Sequence, residues 1–295
     1  MFKQLGVIGC GLMGGSFALA LKRAGMVDKV VGYSKSPSTT ELACRLGVID
    51  VAAESALQAV AGSDIVLIAV PVSATEATFA SIRDGIKSGM LLMDVGSTKR
   101  DVVDTARRAL RDKVGHFVPA HPIAGSESSG VAHADADLYA NRQVILTPLA
   151  STQPDLIDKA TLVWGAVGAH VQRMTPENHD ATFAAVSHLP HLLAFAYFSG
   201  ITNQPAGADF MAQAGPGFRD FTRIAASDPT IWRDILLANR EEVLMQSQRF
   251  RFALDALEHT MLAGNGQALE DMIRSASSKR GAWHISGAPR GPSNK

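Results

Sequence analysis

Cysteine is scarce in this chain of 295 residues, with Cys10 and Cys44 the two present. They form no CxxC pair and are too few for a disulfide framework, which excludes a stapled extracellular scaffold and a thiolate metal site. A reducing compartment, the cytoplasm, is expected. An excess of charge is missing as well: 28 Lys and Arg balance 28 Asp and Glu. Binding to nucleic acid or an anionic membrane needs clustered positive charge, so neither is expected as a partner. No uninterrupted run reaches the ~18 apolar residues of a membrane span. Lys3 followed by Leu5–Leu21 has the outline of a signal peptide, but glycines interrupt it where a strand, a turn and a helix would need them. What is present is 46% hydrophobic and 19% charged, enough to bury a core. The length suits about two domains.

The apolar pattern falls into two regimes. Up to Met174, short apolar runs at 5–8, 29–33, 65–70, 90–95, 116–120, 143–147 and 170–174 read as strands. Helical stretches lie between them at 39–46, 54–61, 74–86, 98–110 and 154–167. Such alternation predicts an α/β fold, a Rossmann-type doubly wound, mostly parallel sheet. After Met174 strand signals stop. Residues 175–199 read as helix with a kink at Pro190, a long helix runs from Thr230 to about Leu262 behind an Asp228–Pro229 start, and 267–277 form another. The expected division is a dinucleotide-binding domain over 1–174, an all-helical C-terminal domain over 175–278 and a loose tail over 279–295.

Gly9-Cys10-Gly11-Leu12-Met13-Gly14 matches G-x-G-x-x-G between a strand and a helix, with a second strand close behind. In that context the first glycine permits the tight turn, the second lets the backbone approach a pyrophosphate, and the third lets helix and strand pack. The helix N-terminus then offers free N–H groups to phosphate. Gly9, Gly11, Leu12, Met13 and Gly14 are therefore expected at a nicotinamide cofactor, with Val70 and Pro71 after the 65–70 strand opposite them. Sites for NAD usually carry an acid at the end of the second strand to hold the ribose 2′-hydroxyl. Here the chain reads Gly32-Tyr33-Ser34-Lys35-Ser36, without one. Ser34 and Lys35 would tolerate a 2′-phosphate, which favours NADP over NAD; a solvated Lys35 is the plain alternative.

Three further stretches carry polar residues where ligands meet such a sheet. Asp94-Val95-Gly96-Ser97-Thr98-Lys99 joins a strand to a helix, and its hydroxyls either face a ligand or cap the helix. His121, at a strand's carboxyl end and followed by Pro, Gly and Ser, has the position of an acid–base group as well as of a structural histidine. Ser187-His188-Leu189-Pro190-His191 sets two histidines on one helix face, but no third ligand accompanies them and no metal is expected. Gly217–Ile224 contains Arg219 and Arg223, each suited to a carboxylate or to a surface ion pair.

At these residues the chain resembles the prephenate and arogenate dehydrogenase family of tyrosine biosynthesis. The matching stretches are GVIGCGLMGGS, DVGSTK, HPIAGSESSG, SHLPHLLAFA and GFRDFTRIAASDPTIWRDI, in order over roughly residues 5 to 237. The resemblance implies oxidative decarboxylation of prephenate to 4-hydroxyphenylpyruvate with hydride transfer to NAD(P). It implies that His121 and Ser97 are catalytic, with Ser97 orienting His121 and the substrate hydroxyl. It implies that Arg223 holds a substrate carboxylate, that His191 and His188 line the pocket, that Glu127 sits near its entrance and that Trp232 forms a wall. It also implies a homodimer through the helical domain. With no added segment before Leu5 and a short tail after Ser278, neither a fused chorismate mutase activity nor a regulatory domain is expected. Arogenate, or both substrates in a cyclohexadienyl dehydrogenase, is the alternative within the family. A 3-hydroxyacid dehydrogenase would need a lysine soon after the domain junction, yet the first lysine after Met174 is Lys279. A non-catalytic NADP-sensing regulator would not require His121, Ser97 and Arg223 together.

Overall fold

The structure is a computed structural model that describes residues 1–125 and 128–284. Its first half is built on β1 (Phe2–Ile8), α1 (Leu12–Arg23), β2 (Val27–Tyr33), α2 (Pro37–Arg45), β3 (Val51–Ala52), α3 (Ala56–Val60), β4 (Ile65–Ile68), α4 (Thr75–Ile82), β5 (Leu91–Asp94), α5 (Arg100–Leu110) and β6 (Phe117–Val118). The six strands form one parallel sheet in the order β3-β2-β1-β4-β5-β6. The order reverses beside β1 and β4, and the crevice at such a reversal is where these sheets bind ligands. Every residue of β4 and β5 is buried, as expected for strands covered on both faces. Phe17 of α1 packs against Trp164 with ring centroids 4.7 Å apart, and Tyr139 closes that cluster 5.2 Å from Trp164.

The expected strand at 116–120 is two strands. Pro119 separates β6 from β7 (Ala120–Pro122), and the chain changes sheets there. Proline has no N–H to give to a ladder, so the parallel sheet ends at that point. β7 pairs antiparallel with β8 (Gln143–Leu146), and β8 pairs parallel with β9 (His170–Arg173) after α6 (Pro154–Ala166). His121 thus lies opposite Ile145 in a small second sheet, not in the sheet that carries the glycine loop.

From Pro176 on, the described chain is helical: α7 (Pro176–Phe183), α8 (Leu189–Thr202), α9 (Gly207–Ala212), α10 (Pro216–Thr222), α11 (Pro229–Ala238), α12 (Arg240–Leu262) and α13 (Gly266–Ala282). Three expectations change. The irregularity foreseen at Pro190 is a π-helical turn over Ala184–His188, just before the proline, which falls in the first turn of α8. A widened turn accommodates the ring and the missing N–H. The helix foreseen from Thr230 to Leu262 is broken at Asn239, whose backbone (φ −108°, ψ 27°) leaves the helical region while its side chain turns inward. The apolar pattern continues through the break and gives no sign of it. The tail expected from 279 is helical as far as Ala282, capped at its start by Asn265, whose side chain accepts from the Ala268 N–H.

By length and composition, the run 176–202 is apolar enough to cross a membrane. Its buried residues include His179, Asp180 and His188, each hydrogen-bonded inside the protein. Only 28% of that apolar stretch is buried within the chain, and its polar buried residues belong to the site described next.

Candidate active site

The cofactor face is shaped by what the three glycines do differently. Gly9 has φ +98°, in the left-handed region, and a Cβ there would lie 2.2 Å from the Ala69 carbonyl oxygen. At Gly14 a Cβ would lie 2.1 Å from the Gly9 carbonyl oxygen. Both are demanded by packing. At Gly11 a Cβ would meet nothing within 4 Å. That residue opens α1, so clear space stands in front of the helix's first N–H groups. Leu12 and Met13 form the first turn of α1, and the Met13 carbonyl accepts from the Tyr139 hydroxyl at 2.7 Å. Val70 and Pro71 follow β4 on the other side of the crevice. The Ser34 oxygen accepts the Cys10 N–H at 2.9 Å, so Ser34 braces the glycine loop from the end of β2, and Lys35 beside it is exposed. Burial pushes the Cys10 thiol up to about 11, which keeps it neutral under the loop.

A second face is a buried chain of polar groups that includes His121. His121 Nδ1 lies 2.7 Å from His179 Nε2, and His179 Nδ1 lies 2.7 Å from Asp180 Oδ1. His121 is 9% exposed, His179 0% and Asp180 1%. Phe183 packs on both imidazoles, with ring centroids 4.8 Å from His121 and 4.5 Å from His179. The Asp180 carboxylate also accepts the backbone N–H groups of Lys99 and Arg100, both at 2.9 Å, where α5 begins. Burial and the neighbouring charge of Lys99 hold the imidazoles neutral. His179 is pulled down to about 2, and His121 well below the usual histidine range, with His179 itself adding to the effect. Burial pushes the Asp180 carboxyl up, and its two backbone donors pull the other way.

Beneath His121 a second pair locks the loop after β5. Lys99 is fully buried, and its ammonium donates to Asp94 Oδ2 at 2.5 Å and to the Ala120 carbonyl at 2.8 Å. Asp94 Oδ1 accepts the Ala120 N–H, and Asp94 Oδ2 also accepts the Gly96 N–H, each at 2.9 Å. A buried charge needs a partner, and here each one has it together with further hydrogen bonds. Ser97 rides on this loop, half-buried.

The helical half supplies the other side. His191 stacks on Trp232 with centroids 3.5 Å apart and an 18° tilt, and its Nδ1 donates to the Ser187 carbonyl at 2.9 Å. Burial lowers the His191 pKa, and the charge of Arg223 lowers it further, which places that guanidinium nearby. Arg223 itself is exposed, on the turn Arg223–Ala226. His188, expected along the pocket, is 1% exposed. Its Nδ1 accepts from the Asn239 amide at 3.1 Å, while the same amide nitrogen donates to the Asp180 carbonyl at 2.8 Å. The Ser97 backbone is its other polar neighbour, and burial brings its pKa to about 4. His188 is thus a support beneath Ser97. Glu127 lies outside the described residues.

Sequence reasoning did not single out His179, Asp180, Asp94, Lys99 or Asn239. Asp94 and Lys99 stood inside a motif already noted for its hydroxyls. His179 and Asp180 stand in the polar run Glu177-Asn178-His179-Asp180 at the start of α7, which reads as a solvated helix end and gave no signal of burial. Among the described residues, no three His, Cys, Asp or Glu side chains come together in a way that could hold a metal ion.

Comparison with known proteins agrees along nearly the whole chain. Residues 17–173 match the nucleotide-binding domain of prephenate dehydrogenase, and residues 175–279 match its dimerization domain. The chain is 38% identical over 242 residues to the prephenate dehydrogenase of Bacillus subtilis, a match covering 80% of this chain and 64% of that protein. It is 32% identical over 282 residues to the cyclohexadienyl dehydrogenase of Zymomonas mobilis, covering 95% of this chain and 96% of the relative. Among solved structures, that of Aquifex aeolicus prephenate dehydrogenase with hydroxyphenyl propionate and NAD+ superposes with a TM-score of 0.89 at 35% identity, covering 95% of this chain and 98% of the other. A parallel sheet with an open glycine loop, a helical half that closes over a buried histidine, and relatives that match both halves make this chain a member of the prephenate dehydrogenase family.

Proposed function

We infer that this chain oxidises and decarboxylates prephenate to 4-hydroxyphenylpyruvate, in the cytoplasm and as a step of tyrosine biosynthesis. The observation that carries the reading is His121: a neutral, buried imidazole in the strand that follows the large sheet, tied through one ring nitrogen so that the other can serve a substrate. A nicotinamide held over Gly9, Gly11 and Gly14, with Leu12, Met13, Val70 and Pro71 around it, supplies the hydride acceptor. His121 takes the proton of the ring hydroxyl as the carbon bearing it is oxidised. Ser97 orients that hydroxyl. Arg223 holds a carboxylate, His191 and Trp232 border the side chain, and Glu127 stands near the entrance. Loss of CO2 and hydride makes the ring aromatic, so the protein's main work is to position the reactants and accept one proton.

The division at residue 174 belongs to the same reading, with cofactor on one side and pairing surface on the other. A homodimer is supported by the match to a dimerization domain and by exposed apolar side chains on α12, among them Leu244, Phe252 and Leu262. NADP is favoured by the absence of an acid at Ser34–Lys35. Arogenate is the second substrate to consider, because one close relative is named for cyclohexadienyl substrates as a class.

Formation of reduced nicotinamide, followed with prephenate and with arogenate, each with NADP and NAD, tests the reading. Turnover of prephenate is expected, and no turnover of either substrate overturns it. For the ribose, Lys35→Ala should raise the KM for NADP by about tenfold, as loss of one charge-assisted contact does, and leave that for NAD alone. An unchanged KM for NADP removes Lys35 from the site.

A further inference from the structure

The hydrogen-bond chain behind His121 has one consistent assignment of protons. Three N–H groups converge on the Asp180 carboxylate: those of Lys99, Arg100 and His179 Nδ1. A carboxylate only accepts, so the His179 proton sits on Nδ1. A neutral imidazole carries one N–H, which leaves His179 Nε2 as a bare lone pair. That lone pair lies 2.7 Å from His121 Nδ1. Two lone pairs at that distance would repel, so His121 Nδ1 carries a proton and donates it. His121 Nε2 is then unprotonated.

We propose that His179 and Asp180 are positioning residues for the dehydrogenase reaction: they hold His121 in the tautomer whose Nε2 can accept the substrate's proton, and they draw the resulting positive charge away from the buried ammonium of Lys99. The inference rests on the proposed reaction for what His121 does, but not for how it is held. When His121 Nε2 gains a proton, its ring becomes cationic. Its Nδ1–H bond to His179 strengthens, and the His179 Nδ1–H bond to Asp180 strengthens in turn. One proton enters the chain at His121 Nε2 as the ring carbon is oxidised and leaves by the same atom, returned to the product's ring oxygen once loss of CO2 has made the ring aromatic; within the chain no other bond is made or broken. The device is needed because Lys99 opposes a second positive charge at this depth. Asp94 answers the ammonium, and Asp180 is placed to answer the imidazolium. Phe183 lies against both rings, so water cannot take over from His179. The backbone of Lys99 and Arg100 fixes the carboxylate from the far side, so the whole row is anchored at the start of α5.

Nitrogen NMR of the full-length protein with 15N-labelled histidine reads which ring nitrogen of each histidine is protonated, without substrate. His121 is expected as the Nδ1–H form near pH 7.5. An Nε2–H form in the unaltered protein overturns the proposal whatever any variant does. In His179→Phe, which keeps a flat ring against Phe183 but offers no acceptor, His121 should revert to the Nε2–H form that free histidine prefers. Turnover should fall by about 10²-fold or more, the range of a lost acid–base function, with KM for prephenate and cofactor held within about threefold. His179→Gln, whose amide oxygen can accept from His121 Nδ1, should restore the tautomer and recover about tenfold of the lost rate, but not all of it, because an amide cannot share the charge with Asp180. Turnover of His179→Phe within about threefold of the unaltered protein overturns the proposal. The tautomer measurement separates this outcome from failure of the substrate reading, which the assay of the unaltered chain decides.

Discussion

The two sides of the site are built from similar residues to opposite specifications. On the dry side, His121 of the small sheet, Asp94 and Lys99 at the end of the large sheet, and His179 and Asp180 of α7 are buried and each has a partner. On the wet side, His191 and Trp232 are half-buried and Arg223 is exposed. A histidine that must hold a proton in a fixed place needs a dry setting and a fixed neighbour. A group that recognises a substrate's side chain needs access and can remain solvated until the ligand arrives. On the proposed function, the contrast separates the residues that would set rate from those that would set affinity.

The sharpest way to break the comparison is His121→Asn. Turnover should fall by the 10²- to 10⁴-fold span, about, of a lost acid–base group, with KM little changed. Near-normal turnover would show that the dry side does not set the rate. Next in size is Lys99→Met, which strands the Asp94 carboxylate in a buried place. Breaking a buried pair in this way costs about 3–5 kcal/mol, read as the change in unfolding free energy by urea titration. A loss below about 1 kcal/mol would mean that the pair is solvated after all. On the wet side, Arg223→Ala should raise the KM for prephenate by roughly 10- to 100-fold, the value of a charged hydrogen bond, while kcat changes less. A larger effect on kcat than on KM would reverse the assignment of affinity to this side.

The smallest effect per group, taken over one pH unit, is that of pH on stability. His179 and His188 titrate in the folded protein at about 2 and about 4, and His121 also lies well below its usual range. Unfolded histidines take up a proton near pH 6.5, so below that value the unfolded state binds more protons than the folded one. The stabilisation from these groups is complete above about pH 6.5 and is lost as pH falls, by about 1.4 kcal/mol per pH unit for each. The loss continues to about pH 4 for His188 and to about pH 2 for His179. Asp101 and Asp180, whose carboxyls burial raises, oppose this over their own narrower range. The melting temperature should be lower at pH 5 than at pH 7.5. An equal or higher value at pH 5 would show that these imidazoles are not dry.

The same contrast explains what could be read from the sequence. β1, β4 and β5 were legible because each carries an apolar run that stops at glycine, proline or acid, and β2 shows a shorter run around Val30 and Val31. The glycine loop was legible because its three glycines do separable jobs at fixed spacing. His121, Ser97, His191, Trp232 and Arg223 were picked out as candidates, through motifs and resemblance, and the structure stacks His191 on Trp232. The row behind His121 was not legible, since His179 lies 58 residues from its partner and nothing in either segment states that the two will meet. The break at Asn239 was hidden for a related reason. Its cause is a side-chain amide that grips Asp180 and His188, a tertiary event on a helical pattern that continues past it. The two residues of β3 are too few for any periodic pattern to show.

Because the chain changes sheets at Pro119, the glycine loop and His121 are mounted on separate frames, and Asp94 is the datum from which both are measured. One of its oxygens fixes the Ala120 N–H next to the histidine, and the other fixes Gly96 and Lys99 at the end of the large sheet. An error at this carboxylate would leave each frame intact and well made. It would appear as misregistration, with every part present and the reacting atoms out of line.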